Sequence, residues 1–301
     1  MKALALAVAM LAWSPAAPAA QSAPAPGAAP ADKPATDTPP GELPLIETSH
    51  VIAPRTVGDF VLEQGKYDPQ YKALGVALRY RLKDEQALRM DVYVYPAGRA
   101  EPRQALARGM QDFRQSLRDA ETHGMFEDMR TLDDAAFALA PPPAQPRGGQ
   151  GTQPDALAAL AGRASVPGQR LRMAFAMPPL QTRMHSNGYL FYRQLYYFKV
   201  RASAAAERIE RARFDALADR GARQLVQAIE VWNQGGCGNI EVLVDADEKD
   251  AQRQQDAMLR QLMAAAAENC TRKADPEELA RKSRDAHVET IRFGADEWAS
   301  P

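Results

Sequence analysis

Two cysteines, Cys237 and Cys270, carry the most specific chemistry in this chain of 301 residues. Between them we expect a strand over residues 240–244 and a returning helix over 247–269. Such a helix covers roughly 34 Å at ~1.5 Å per residue, and the outgoing segment reaches up to about 30 Å, so the two thiols can meet. In an oxidising compartment an isolated pair most simply forms one disulfide. Two free thiols are the alternative that stays open, whereas a zinc site would lack ligands.

The four histidines show no metal-binding spacing, since neither His-Glu-x-x-His nor His-x-His occurs. They are His50, His123, His185 and His287. His123 precedes Gly124 at the expected end of a helix, where an imidazolium favours the negative end of the helix dipole. We therefore assign His123 a capping role and expect no metal site.

The adjacent pair His185-Ser186 could suggest a base and a nucleophile. Neighbouring residues in an extended hairpin point to opposite faces, however, and the chain contains no Gly-x-Ser-x-Gly elbow. The pair is followed by Asn187-Gly188, a tight-turn signal, so we interpret the segment as a polar turn. No pair of carboxylates stands out either, and we expect no catalytic residue.

Two further motifs resemble ligand-binding loops only superficially. The acidic run at 245–250 has Lys249 at the third calcium-ligand position, lacks the turn glycine and has Asp256 where a bidentate Glu is expected. Acidic residues that open a helix explain it better. The glycine-rich run at 235–238 follows a helix, whereas a phosphate-binding loop precedes one. We therefore expect no cofactor.

Composition limits the class of protein and its partners. The chain is 46% hydrophobic and its formal net charge is −1, which fits a globular protein of one large or two small domains. Non-specific binding to nucleic acid or to an anionic membrane needs a basic footprint, which is absent. We expect no nucleic-acid partner, although the aromatic stretch 189–198 could stack bases if a basic groove lay beside it.

The N-terminal region reads as a targeting segment. Residues 1–20 combine a short basic start, an apolar stretch and small residues at a cleavage position, which predicts a secretory signal peptide. The apolar stretch is too short to span a bilayer as a stable helix. Residues 21–42 are rich in Pro and Ala and predict a disordered tether. We expect a periplasmic or secreted protein without a transmembrane segment.

The folded part is organised around residues 189–232. Residues 189–201 predict one long strand, in which Tyr196, Phe198 and Val200 alternate with Tyr197, Lys199 and Arg201. Ser203 is then a plausible N-cap of a long amphipathic helix. Its apolar face comprises Phe214, Leu217, Ala218, Gly221, Leu225, Ile229 and Trp232.

The remaining elements follow from periodicity and breakers. Residues 57–63 predict a strand, 76–82 and 88–95 a hairpin, Pro102 to Gly124 a helix, and 170–177 another strand. Residues 125–140 read as two short strands or as a strand and a turn, and 141–169 as a flexible surface insertion. Asp275, followed by Pro276, should start a charged helix that runs to about Ile291.

The sequence thus predicts the α+β class, with a mainly antiparallel sheet, helices packed on one face and a helical C-terminal appendix. We expect the main domain to cover residues 43–236 and the disulfide-linked appendix to cover 237–301. The order of elements over about 57–232, ending in the strand at 196–201 and its helix, resembles the PsbP-like α+β sandwich. That resemblance implies a non-catalytic accessory or binding protein and carries no site residues.

We therefore expect a non-catalytic exported protein that binds a protein partner or a component of the cell envelope. A secreted hydrolase with a site of dispersed residues is the rival hypothesis, although no nucleophile, metal or acid–base motif supports it. A small-ligand carrier is the third, with a cavity lined by Met90, Met173, Phe175 and Tyr196. Its oligomeric state is not predicted.

Overall fold

The computed structural model describes residues 45–140, 165–239, 242–243, 249–273, 275–294 and 297–298. The expected signal peptide, the tether, residues 141–164 of the expected insertion and most of the strand expected at 240–244 lie outside this part of the chain. The last residues of the expected insertion are ordered: Val166 bridges to Leu139, and a strand begins at Gly168.

Twelve strands are described. They are β1 (Thr48–Pro54), β2 (Thr56–Val57), β3 (Phe60–Tyr67), β4 (Val76–Leu82), β5 (Glu85–Pro96), β6 (Glu127–Ala136), β7 (Gly168–Met177), β8 (Thr182–Arg193), β9 (Tyr196–Ala205), β10 (Glu230–Gln234), β11 (Cys270–Thr271) and β12 (Ala286–Arg292). Eight form an antiparallel sheet in the order β2-β3-β4-β5-β9-β8-β7-β6. A second sheet has the order β11-β10-β1-β12. The predicted α+β class and the large antiparallel sheet are confirmed.

Four α-helices are described, together with short 3-10 turns at Pro69–Leu74, Pro178–Leu180 and Gly236–Gly238. The helices are α1 (Pro102–Thr122), α2 (Arg211–Ala228), α3 (Ala251–Ala267) and α4 (Pro276–Ser283). Helices α1 and α2 start at an acidic N-cap, Glu101 and Glu210 respectively, whose carboxylate accepts backbone N–H bonds of the first turn. The predicted hairpin β4–β5 and helix α1 are confirmed.

Helices α1 and α2 pack on opposite faces of the large sheet, so the expectation that the helices share one face is wrong. On β8, Tyr189 and Phe191 join the core that contains Phe214 of α2. The alternate residues Leu190 and Tyr192 pack in a separate cluster with α1. Because successive side chains of a strand point to opposite faces, an aromatic run without polar alternation is typical of a strand buried on both sides.

The segment expected as one long central strand is a hairpin. Gln194 and Leu195 have φ of 53° and 67° and form the turn between β8 and β9. Asn187-Gly188, expected to be a turn, lies instead inside β8, between β7 and β9. A glycine is required at position 188, because a Cβ atom there would lie 2.4 Å from the ring of Phe113.

The boundaries of α2 also differ from the prediction. Ser203 is not an N-cap, because β9 continues to Ala205 and the helix begins at Arg211. The helix ends at Ala228, so Trp232 lies in β10, which pairs with β1. The apolar residues near the helix end meet the second sheet, whose pairing overrides the local helical period.

The C-terminal region is more than a helical appendix. Asp275 is the N-cap of α4 as predicted, but the helix ends at Ser283. Strand β12 follows and pairs along the whole of β1. Ile291 of β12 is completely buried in the main core, which also contains Val51 of β1 and Val231 of β10. The disulfide Cys237–Cys270 is confirmed, with its Cα atoms 5.9 Å apart.

Two predictions for the first half of the chain differ from the structure. The strand expected at 57–63 divides into β2 and β3, because Gly58 adopts a φ of 56° between them. The ambiguous stretch 125–140 contains one strand, β6, whose pairing with β7 has register shifts.

Candidate functional site

The face of the large sheet that carries α1 is covered by the helix at one end and lined by polar side chains at the other. Helix α1 packs chiefly on β7 and β8. Further along, on β4, β5 and β9, the same face carries a group of polar side chains. We call this group the Lys199 site, and it consists of Arg79, Arg89, Asp91, Tyr93, Lys199 and Arg201.

Strand register brings these residues together. Tyr93 lies directly opposite Lys199, and Asp91 lies directly opposite Arg201. On its other side Asp91 is opposite Arg79. Because Lys199 and Arg201 are two residues apart on β9, they share a face at a Cα spacing of about 7 Å.

Asp91 is the carboxylate of the site and is already engaged. It is 5% exposed. One of its oxygens accepts a hydrogen bond from Arg79 Nε at 2.8 Å, and the other accepts one from Arg89 Nε at 2.6 Å. The charge of Asp91 also supports Arg201, whose pKa is nevertheless lowered by burial. One carboxylate is therefore shared among three guanidinium groups.

Lys199 is the unusual member of the site. Its residue is 4% exposed, and its Nζ lies 4.0 Å from the centre of the Phe113 ring of α1. Within the described part of the chain, no hydrogen-bond acceptor or carboxylate partners this ammonium. Burial, and secondarily the charge of Arg201, lower the pKa of Lys199 to about 7.

The titratable groups around Lys199 do not compensate its charge. Burial raises the pKa of Tyr95 and of Tyr197, and the charge of Asp112 on α1 adds to both shifts, whereas Arg108 opposes the rise at Tyr197. Neither of these charged groups contributes to the pKa of Lys199. Tyr197 donates to the carbonyl of Ala105 at 2.7 Å, so its hydroxyl is committed to holding α1.

The Lys199 site is cationic by formal charge. Three arginines and one lysine face a single carboxylate, which leaves an excess of positive charge. A buried charge is costly unless it is paired. An anionic group bound here would supply a counter-charge for the ammonium of Lys199, which pairs with no carboxylate of the described residues.

A second polar cluster lies on the α2 face of the same sheet. Its members are Asp133, Arg170, Arg172, Asn187, Tyr189, Arg211, Asp215 and Asp219. Asp219 accepts from Tyr189 Oη at 2.6 Å and pairs with Arg170 at 2.9 Å. Three arginines meet three aspartates, so the charge is balanced, and we interpret this cluster as a clamp that holds α2 on β7 and β8.

The histidines singled out from the sequence lie in separate places. His123 is the C-cap of α1, as predicted, and its Nδ1 lies 2.6 Å from the carbonyl oxygen of Asp119. His50 lies between Thr290 and Gln234 in the second sheet. His287 contacts Glu289.

The pair His185-Ser186 is divided by the sheet. The ring of His185 lies 5.5 Å from that of Phe214 on the α2 face, where burial and Arg211 lower its pKa. Ser186 is completely buried, and as the next residue of β8 it points to the opposite face. The prediction that these two residues point apart is confirmed.

The residues proposed to line a carrier cavity do not meet. Tyr196 and Met90 belong to the main core, Met173 belongs to the cluster beneath α1, and Phe175 packs with Phe126 in a third cluster. These side chains are ordinary core, and the structure does not support a common cavity lined by them.

The loop motifs give no ligand site either. Residues 245–248 of the acidic run lie outside the described residues, while Asp250 is the N-cap of α3. Within the described ranges no group of three or more His, Cys, Asp or Glu side chains could hold a metal ion. In the same ranges, no helix has both the length and the apolar character needed to cross a membrane.

Sequence reasoning missed the Lys199 site because the alternation along the strand shows that Lys199 and Arg201 share a face, but not what covers that face. A signal was nevertheless present, since Lys199 is flanked by Phe198 and Val200 within an aromatic run. A lysine inside a strand that is buried on both faces is unusual.

Comparison with known proteins does not add a functional assignment. No model of a protein family matches the chain, and no curated protein matches its sequence significantly.

Proposed function

We propose that this chain is a non-catalytic exported binding protein, which recognises an anionic group of a protein partner or cell-envelope component at the Lys199 site. The anionic group is a carboxylate or a phosphate, the two groups that arginine and lysine bind most readily. The observation that carries the proposal is the buried ammonium of Lys199, which has no acidic partner in the described residues.

The neighbourhood of Lys199 supports this choice over a structural role. A structural lysine would be expected to pair with a carboxylate, as Lys282 does with Glu230 at 2.7 Å. Asp91 is occupied by Arg79 and Arg89 instead. An anion bound at Lys199 would meet its ammonium and the neighbouring Arg201, next to the ring of Phe113.

Two further observations favour export and an accessory role. The Cys237–Cys270 disulfide is typical of an oxidising compartment, and residues 1–20 have the pattern of a secretory signal. The resemblance of the element order to PsbP-like proteins agrees with a binding role. A component of the envelope that displays phosphate or carboxylate groups would be a suitable partner.

A binding titration tests the proposal. Wild-type protein would be titrated calorimetrically with inorganic phosphate, acetate, an acidic peptide and vesicles containing an anionic lipid. We expect Lys199→Met to weaken binding at least tenfold. Lys83→Met removes an equal charge from the exposed β4–β5 turn and should leave binding unchanged. The four ligands distinguish a free anion from a protein or lipid source.

The pH dependence gives a second measurement. Protonated Lys199 binds the anion, and its pKa of about 7 makes the protonated fraction fall roughly tenfold between pH 6 and pH 8. Affinity should fall by the same factor, and binding at pH 8 should take up protons from the buffer. Equal binding by wild type and Lys199→Met would refute the proposed site. Turnover of ester or phosphoester substrates would refute the non-catalytic assignment.

A further inference from the structure

The surroundings of Lys199 also suit chemistry at its amine. The side chain is buried, and its Nζ lies 4.0 Å from the centre of the Phe113 ring. Its charged neighbour Arg201 would stabilise a negative charge, whereas Asp91 is already paired with Arg79 and Arg89. A small, uncharged electrophile that becomes an anion on reaction is matched to this environment.

We infer that Lys199 is a carbamylation site, at which carbon dioxide adds reversibly to the side-chain amine and thereby closes the anion site. This inference rests on the proposed function, because it assigns a regulator to the same residue. Carbon dioxide is small and uncharged, so it reaches a buried amine without the desolvation cost that an ion carries.

The reaction needs no further reagent. The lone pair of the neutral Nζ forms a bond to the carbon of CO2, and one C=O π pair moves onto oxygen. The nitrogen releases a proton to the buffer, which leaves a carbamate anion on the side chain. Protonation of the nitrogen and loss of CO2 reverse the step, so atoms and charge balance in both directions.

Two features favour this lysine over others. The reaction requires an unprotonated amine, and burial beside Arg201 disfavours the ammonium form of Lys199. With a pKa of about 7, roughly 90% of Lys199 is neutral at pH 8, compared with well under 1% of an ordinary exposed lysine. The product places a negative carbamate beside Arg201, where a neutral amine stood, and this negative charge would repel a second anion.

The test uses the full chain equilibrated with 13C-labelled bicarbonate at pH 8. Carbamate would be observed by 13C NMR, trapped by alkylation and located by peptide mapping. We expect at least tenfold more label on Lys199 than on any other lysine. Lys199→Arg keeps the positive charge but should lose this label, and Lys83→Arg should keep it. Phosphate affinity at pH 7.5 should fall at least threefold in bicarbonate relative to CO2-free buffer.

The outcomes separate this inference from the proposed function. Phosphate binding in CO2-free buffer without label on Lys199 would overturn carbamylation and leave the anion site standing. Label confined to the terminal α-amino group would overturn carbamylation equally. Absence of anion binding in CO2-free buffer would overturn the proposed function, whatever the label shows. Equal competition by bicarbonate in wild type and Lys199→Arg would show simple ion competition and refute the regulatory role.

Discussion

Replacement of Lys199 by methionine should stabilise the protein, although most changes of buried residues destabilise. Methionine keeps the length and the apolar stem of the side chain but removes the ammonium. Lys199 is 4% exposed, and its ammonium has no acidic partner in the described part of the chain. An uncompensated buried charge opposes folding, so its removal should raise the free energy of unfolding.

The magnitude follows from proton linkage. The pKa of Lys199 is about 7 in the folded protein and 10.5 for an ordinary lysine. Between these values the unfolded chain binds the extra proton, so the contribution of Lys199 to stability rises with pH. At ~1.4 kcal/mol per pH unit, the cost is about 4 kcal/mol at pH 7 and about 2 kcal/mol at pH 9. Loss of the contact with Phe113 offsets about 1–2 kcal/mol.

Urea unfolding at pH 7 and pH 9 measures this effect, with the disulfide kept oxidised. We expect Lys199→Met to be more stable than wild type by about 2–3 kcal/mol at pH 7, and its advantage to shrink by about 2 kcal/mol at pH 9. The exposed control Lys83→Met should show neither change. If Lys199→Met is less stable at pH 7, or if its difference from wild type is the same at both pH values, the ammonium has a partner and the reasoning fails.

Three further predictions concern the framework of the fold. Asp219→Ala should lower the free energy of unfolding by about 3 kcal/mol, because it leaves two arginines and a tyrosine hydroxyl without their carboxylate. The control Asp59→Ala removes an exposed ion pair at 3.9 Å and should cost under ~1 kcal/mol. The midpoints of urea unfolding compare the two variants. Gly188→Ala should lower stability by about 1–3 kcal/mol, because the added methyl meets a phenyl ring at 2.4 Å, and thermal unfolding measures it. Reduction of Cys237–Cys270, which closes a separation of 33 residues, should cost about 3–4 kcal/mol in the chain-entropy model.

Each of these predictions has a contradicting result. Equal urea midpoints for Asp219→Ala and Asp59→Ala would show that the α2-face cluster is not a clamp. A stable Gly188→Ala variant would mean that helix α1 can shift away from β8 without loss. Unchanged unfolding after reduction would show that β10, β11 and their neighbours stay together without the covalent link.

Much of the fold could be predicted from local pattern. Alternation identified β4, β5 and β7, helical spacing identified α1, and the Asp-Pro sequence located the start of α4. The disulfide followed from two cysteines and plausible chain geometry. These features depend on neighbours within a few residues, or on whether the chain between two cysteines is long enough for them to meet, and both can be read from the sequence.

Other features depend on contacts between distant segments. Asn187-Gly188 has the composition of a turn, yet it lies inside β8 because the ring of Phe113 occupies the space that a side chain would fill. Strand β12 has no strong apolar alternation, and its place is decided by the open edge of β1. Local propensity competes with such pairing and often loses.

The candidate site shows the same division most clearly. The sequence determined that Lys199 lies on a strand, between the apolar residues Phe198 and Val200. Only the tertiary structure decided that both faces of that strand are covered, with α2 on one side and α1 reaching Lys199 through Phe113 on the other. Period-2 alternation specifies which residues of a strand share a face. Burial depends on what packs against that face, and helix α1, which covers Lys199, comes from a segment that is distant in the sequence.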